Sequence, residues 1–227
     1  MSQEKTAETF FHSKFFRGLT NEELQPLADI CQRKHLKAHS VAIRQNDPAT
    51  HFYTLISGAL MLERTSRSGR RQVIGFSFPG DFVGFTSGDE FDYSVVCLQE
   101  SHLQTFPQKK FLEAVDNHPI LKKNARNIGN GILGQALDQL FALGQKKAHE
   151  RLCFLIDQIN HRQPGTDRSA IELIMSRQDI ADYLGLTIET VSRAFAKLKK
   201  DGVISIESAH KVKILDTEAL EQMASAH

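Results

Sequence analysis

The spacing of apolar residues changes character along the chain, and each change marks a boundary. Leu24, Leu27, Ala28 and Cys31 share one helical face, and Thr20 followed three positions later by Glu23 has the form of a capping box. A short helix is therefore predicted from about Asn21 to Arg33. From His35 the period becomes two: Phe52, Thr54 and Ile56 alternate with Tyr53 and Leu55, and Ile74, Phe76 and Phe78 with Gly75 and Ser77. Ser57-Gly58, Ser68-Gly69 and Pro79-Gly80-Asp81 supply turns, and a last strand pair is expected over Tyr93 to Leu98 and Ser101 to Phe106. Short strands at regular intervals indicate a sandwich or jelly roll.

After Pro119 the helical period returns. Leu121, Ala125, Ile128, Ile132, Ala136, Leu140 and Leu143 recur every three or four residues, an apolar seam sustained over about three heptads. Such a seam packs either on its own domain or on a second copy of the chain. Its persistence favours the second, a homodimer held by Leu121, Ile128, Ile132, Ala136, Leu140 and Leu143. Gly131, Gly134 and Gly144 weaken the helix but let another backbone come close. A further amphipathic helix runs from Lys147 to His161 through Leu152, Leu155, Ile156 and Ile159, and Gln163-Pro164-Gly165-Thr166-Asp167 breaks it. With a hinge near Gly144 to Lys147, the expected organisation is an N-terminal domain over 1–118, a dimerisation helix over 119–145 and a C-terminal domain over 146–227.

The C-terminal domain carries the most specific signal. In the run Arg177 to Ala194, Ile180, Leu184, Leu186, Val191 and Ala194 are apolar, with small Ala181 and Gly185 between them. Two helices that cross steeply need a small residue at the crossing, and the tight turn between them needs Gly185 to turn left-handed. Thr187 can cap the second helix, which leaves Glu189, Thr190, Ser192 and Arg193 in its exposed first turns, free for base edges. Asp201-Gly202 then ends that helix, and Val203-Ile204-Ser205-Ile206 with Lys211-Val212-Lys213-Ile214 reads as the hairpin of a winged helix. From Arg193 to Lys213 there are six basic residues (Arg193, Lys197, Lys199, Lys200, Lys211 and Lys213) and two acidic (Asp201 and Glu207), a local balance of +4. Beside a helix-turn-helix, such a patch suits the phosphates of double-stranded DNA.

Composition adds limits. A chain that is 41% hydrophobic and 24% charged is neither disordered nor membrane-embedded, and no apolar run approaches the roughly 20 residues of a membrane helix. The start from Met1 to Phe10 is polar, so the chain reads as cytoplasmic. The net charge of +1 leaves the partner to be decided by local distribution. Cys31, Cys97 and Cys153 lack the paired spacing of zinc or disulfide frameworks, and no metal site is expected. No nucleophile elbow or phosphate loop is present, which argues against an enzyme. A ligand-binding module whose winged helix contacts protein is the other alternative, and it predicts no salt-dependent affinity for DNA.

The order jelly roll, long helix, winged helix, with the run Ser176 to Ile206, resembles the CRP/FNR family of bacterial transcription regulators over nearly the whole chain. Glu189, Ser192 and Arg193 resemble the recognition helix of its FNR and FixK branch, which reads TTGAT-type half-sites; the cyclic-AMP branch usually has Gly at the position of Ser192. The resemblance implies an α+β protein with a cyclic-nucleotide-binding-like jelly roll, Arg177 on the phosphate backbone, and exposed loops in contact with RNA polymerase. The expected DNA-contacting set is Arg177, Gln178, Thr187, Glu189, Thr190, Ser192, Arg193, Lys197, Lys199, Lys200 and Lys211.

The family's familiar inputs do not match. Where the cyclic-nucleotide branch holds the ribose and phosphate with a Gly-Glu turn and an Arg-Ser pair, this chain reads Phe85-Thr86-Ser87-Gly88-Asp89-Glu90-Phe91-Asp92-Tyr93-Ser94. That stretch contains no arginine, and Asp89, Glu90 and Asp92 would repel a partly buried phosphate. The iron-sulfur cluster of FNR needs four thiolates, and this chain has three cysteines. Ten histidines leave room for haem, but His51, His102 and His118 read as surface or satisfied residues. FixK-like regulators that act without a small ligand, controlled through their own synthesis, fit this pattern. A haem- or other ligand-responsive regulator of the same fold is the alternative.

Overall fold

The computed structural model describes residues 13–162 and 170–225; the polar start and the break expected at Gln163 to Asp167 lie outside them. The chain divides into two compact units, residues 1–133 and 134–227. Among the described residues no helix is long and apolar enough to cross a membrane.

In the N-terminal unit, helix α1 (Asn21–Ile30) starts at the expected capping box: the Thr20 hydroxyl accepts from the Glu23 N–H, and the Glu23 carboxylate accepts from the Thr20 N–H at 2.7 Å. Strands β1 (Gln32–Leu36), β2 (Val41–Ile43), β3 (His51–Ser57), β4 (Leu60–Thr65), β5 (Arg71–Ser77), β6 (Phe82–Val83), β7 (Ser94–Cys97) and β8 (Ser101–Pro107) follow. The first helix stops at Ile30, short of the expected Arg33, because Gln32 already pairs with Thr105 of β8. The strands form two antiparallel sheets of order β1-β8-β3-β6 and β2-β7-β4-β5. The two strands expected to pair, β7 and β8, belong to different sheets. The turn between them carries the chain from one sheet to the other, and alternation along a strand shows its faces but not its neighbour.

Both sheets supply one apolar core, with Tyr53, Leu55 and Leu103 from the first and Ile43, Leu60, Val95 and Cys97 from the second. The outer face of the first sheet carries a second core of aromatic rings, Phe52, Phe82 and Phe106, which is closed by Phe15, Phe16, Leu24 and Leu27, by Phe111 and Val115 of helix α2 (Gln108–Asn117), and by Leu121. Strand β3 is thus buried on both faces.

Helix α3 (Pro119–Gln145) runs unbroken for 27 residues. Its apolar seam does not serve one partner. Leu121, expected at a dimer contact, is 2% exposed inside the N-terminal core, and Ile128 packs against that same core. The unforeseen helix α2 shares that core through Phe111 and Val115, so the first turns of α3 belong to the N-terminal unit. Leu143 is half-buried near Gly185. Between these ends, Ile132, Ala136 and Leu140 are exposed, and so are Leu133, Leu137 and Phe141, which the seam had omitted.

The C-terminal unit is centred on α4 (Ala148–Arg162), which buries Leu152, Cys153, Phe154, Leu155, Ile156 and Ile159. Around it lie β9 (Ala170–Glu172), α5 (Arg177–Leu184), α6 (Ile188–Lys200), β10 (Ile204–Ser208), β11 (Lys211–Ile214) and α7 (Thr217–Ala224). The expected hairpin β10–β11 gains β9 as a third strand, in the order β10-β11-β9.

Candidate nucleic-acid interface

Helix α5 begins at a capping box in which the Ser176 hydroxyl accepts from the Asp179 N–H at 3.1 Å and Asp179 accepts from the Ser176 N–H at 3.0 Å. It ends at Gly185, which is left-handed (φ 62°, ψ 41°). A Cβ there would sit 3.3 Å from Leu143 Cδ2, so both backbone conformation and space call for glycine. Two long side chains brace the turn. Gln139 donates to the Tyr183 carbonyl at 2.8 Å, and Arg151 donates to the Leu184 and Lys146 carbonyls at 2.9 Å each. These carbonyls belong to helix ends, where the backbone itself offers no donor.

Thr187 caps α6 by accepting from the Thr190 N–H, as expected. Val191, Ala194, Phe195 and Leu198 are buried along one side of α6, which turns Glu189, Ser192 and Arg193 outward. Arg193 donates to the Thr190 hydroxyl at 3.1 Å, so its guanidinium lies along the first turns. The Glu189 carboxyl is held below the usual carboxylate range by its own backbone N–H, the Thr187 hydroxyl and the nearby charge of Arg193. An ionised acceptor and a cationic donor thus stand one helical turn apart, both in water.

The remaining predicted contacts divide. Lys199 and Lys200 are exposed at the end of α6. Lys197 pairs with Asp201 at 2.7 Å and Lys211 with Glu207 at 3.0 Å; exposed pairs of this kind are worth about 0–1 kcal/mol and yield readily to a phosphate. Gln178 is exposed and donates to Asp182 at 2.6 Å. Arg177 is only partly exposed, with its guanidinium carbon 3.5 Å from the centroid of the Phe195 ring, a cation–π contact, and its Nη1 buried without a hydrogen-bond partner. The hydroxyls of Thr187 and Thr190 are engaged within the helix start, 3.1 Å apart.

Residues 33–118 match the family of the cyclic nucleotide-binding domain, and residues 150–223 match the Crp-like helix-turn-helix domain. The nitrogen fixation regulation protein FixK of Bradyrhizobium diazoefficiens is 33% identical to this chain, over 92% of it and 89% of the relative. The transcriptional activatory protein AadR of Rhodopseudomonas palustris is 34% identical, over 91% of this chain and 85% of that protein. The chain belongs to the CRP/FNR family. The structure of FixK2 from Bradyrhizobium japonicum superposes with a TM-score of 0.81 at 26% identity, covering 87% of this chain and 99% of that one. A CRP/FNR protein with this winged helix is a DNA-binding transcription regulator and not an enzyme.

Within the CRP/FNR jelly roll, the segment after β6 is arranged around acids. The single Thr86 hydroxyl proton is shared between the Asp92 carboxylate at 2.9 Å and the Glu90 carbonyl at 2.7 Å, and Asp92 also accepts from the Ser87 hydroxyl at 3.4 Å. The Thr86 hydroxyl first, then the Ser87 backbone N–H, the charge of Arg64 and the Ser87 hydroxyl hold the Asp92 carboxyl below its usual range. Cys31 lies between α1 and β1, Cys97 in β7 and Cys153 in α4. Burial pushes the Cys31 thiol up to about 11, the Cys153 thiol up to about 12, and the Cys97 thiol in the same direction. Sequence reasoning missed Gln139, Arg151 and Phe195, which position the helix-turn-helix. Arg151 reaches a carbonyl 33 residues away, and no local pattern announces such a bond.

Proposed function

We propose that this CRP/FNR regulator is a homodimer that reads a palindrome of TTGAT-type half-sites, one α6 per half-site, without cyclic AMP or an FNR-type iron-sulfur cluster. The observation that carries this reading is the outward face of α6, with Glu189, Ser192 and Arg193 exposed above a buried row. The fork of donors on Arg193 suits guanine O6 and N7, and ionised Glu189 accepts from a cytosine amino group. Ser192 favours TTGAT-like over TGTGA-like half-sites by family likeness. Lys197, Lys199, Lys200 and Lys211, with Arg177 and Gln178 at the start of α5, add phosphate attraction without sequence preference.

The middle of α3 supports the dimer. Ile132, Leu133, Leu137, Leu140 and Phe141 are 46, 59, 57, 67 and 42% exposed, a row that water solvates poorly and a second copy would cover. Two α6 helices then lie about one DNA turn, roughly 34 Å, apart. Against cyclic AMP stands the commitment of Thr86 and Ser87 to Asp92, since the hydroxyls that could donate to a phosphate already serve a carboxylate. Against a cluster stand three scattered thiols whose burial opposes the thiolate form. The family likeness supports activation of transcription through RNA polymerase, in the cytoplasm. A gel-shift series with TTGAT, TGTGA and scrambled palindromes at two salt concentrations tests the reading. TTGAT should bind tightest, affinity should fall steeply with salt, and cyclic AMP should change nothing. Equal affinity for TGTGA, or binding only with cyclic AMP, would overturn it.

A further inference from the structure

The geometry points to a binding site for a divalent transition-metal ion on the N-terminal unit, formed by His35, Glu100 and His102. His35 and His102 are direct cross-strand partners on β1 and β8, with their rings stacked at 4.6 Å and 12°. Glu100, at the turn into β8, takes a hydrogen bond from His35 Nε2 at 2.8 Å. One donor atom from each of the three side chains lies within 4.8 Å of the others, close enough for small side-chain rotations to bring them onto one ion. Two imidazoles and a carboxylate suit zinc and its first-row neighbours, whereas calcium and magnesium prefer oxygen alone.

The platform beneath these side chains is rigid although they are exposed. Ser101 is fully buried and its hydroxyl donates to the Gln99 carbonyl at 2.8 Å. Gly58 (φ +102°) lies so close that a Cβ there would be 2.7 Å from the Glu100 carbonyl oxygen and 2.3 Å from the Ser101 hydroxyl. This contact holds the turn that presents Glu100. Next to Gly58, Ser57 of β3 pairs with His102, and β1 flanks β8 on its other edge, so three adjacent strands hold the set. A cavity of about 330 Å³ opens beside both histidines, lined also by Ile56, Ser57 and Arg33. Three protein ligands leave a coordination position toward that cavity for water or a small anion. An ion here would clamp the edge strand β1 to β8. The site stands apart from the DNA-binding reading, and its test needs no DNA.

The test is a titration of the untagged full chain with Zn²⁺ against a chromophoric chelator, with Co²⁺ absorption as a second readout. One ion per protomer is expected, with a Co²⁺ ligand-field band. His35→Ala and His102→Ala should each remove the band and weaken binding by at least the roughly 10–100-fold that loss of an outer-shell partner costs. Glu100→Gln should weaken it as well, and His161→Ala, on α4, should not. All these side chains are exposed, so circular dichroism should report unchanged folding. Absence of stoichiometric binding, or affinity unchanged in both His35→Ala and His102→Ala, would overturn the assignment.

Discussion

In the C-terminal unit Glu189, Ser192 and Arg193 stand within one turn of a helix whose cap, Thr187, lies in the same short stretch. In the N-terminal unit His35 meets Glu100 across 65 positions of sequence, brought there by strand register. The first arrangement is local, and its parts are set by helix periodicity and capping. The second exists only when β1, β8 and β3 are in register and the turn at Gly58 closes on Ser101. Local sites tolerate change in the rest of the fold, whereas register-built sites inherit every strain placed on their sheet.

Arg193→Ala tests the local site with the largest effect. It should cost roughly 1–3 kcal/mol per half-site, about twice that for a dimer, and relax specificity at one base pair. Fluorescence anisotropy on single-substitution variants of the TTGAT palindrome measures both. Unaltered affinity and selectivity would mean that another face of α6 reads the bases.

The next effect separates the two ends of the α3 seam. Leu121→Ala should lower unfolding stability by about 2–5 kcal/mol, as expected for a buried leucine, and leave the association state alone. Leu137→Glu, in the exposed middle, should do the reverse. It would set like charges against each other across a two-fold axis, at a cost of several kcal/mol to association, roughly enough to give monomers at micromolar concentration. Denaturant unfolding and sedimentation on both variants provide the check, and the reverse assignment of effects would return Leu121 to the interface.

Gly185→Ala is a smaller perturbation. A left-handed alanine costs about 1–2 kcal/mol, and its methyl would press on Leu143. A thermal midpoint equal to the parent's would show that the turn has other conformations available. The smallest effect belongs to Lys199→Ala, which should weaken binding to every sequence alike and flatten the salt dependence by about one per half-site. An effect on one sequence only would make Lys199 a base reader.

Legibility followed the same division. Thr20 with Glu23, the Gly185 turn and the Thr187 cap were readable because each is a short-range pattern with one geometric solution. Helix α2 was not, since its core-facing residues Phe111, Ala114 and Val115 span little more than one turn, too short a stripe to mark a helix on its own. Strand β9 buries Ile171 alone, and it acquires its place from β11. The assignment of β7 and β8 to one pair failed because a tight turn between alternating segments usually makes a hairpin, whereas here it crosses between sheets. His102, read as an ordinary surface histidine, gains its neighbours only through register.

The continuity of α3 bears on how the protein can be divided for study. The helix has no break before Lys146, yet its last turns are spoken for by the DNA-binding unit. Gln139 bonds the Tyr183 carbonyl, Leu143 lies beside Gly185, and Lys146 bonds the Met223 and Ser225 carbonyls at the end of α7. A fragment begun at Ala148, where the secondary structure invites a cut, would leave the recognition turn with Arg151 but without Gln139 and Leu143, and the end of the last helix without its cation. One begun at Gly134 keeps all three, at the expense of carrying exposed Leu137, Leu140 and Phe141 into solution. The natural seam of this molecule runs through the middle of a helix, so domain exchange with a relative should be spliced in phase with the turns of α3.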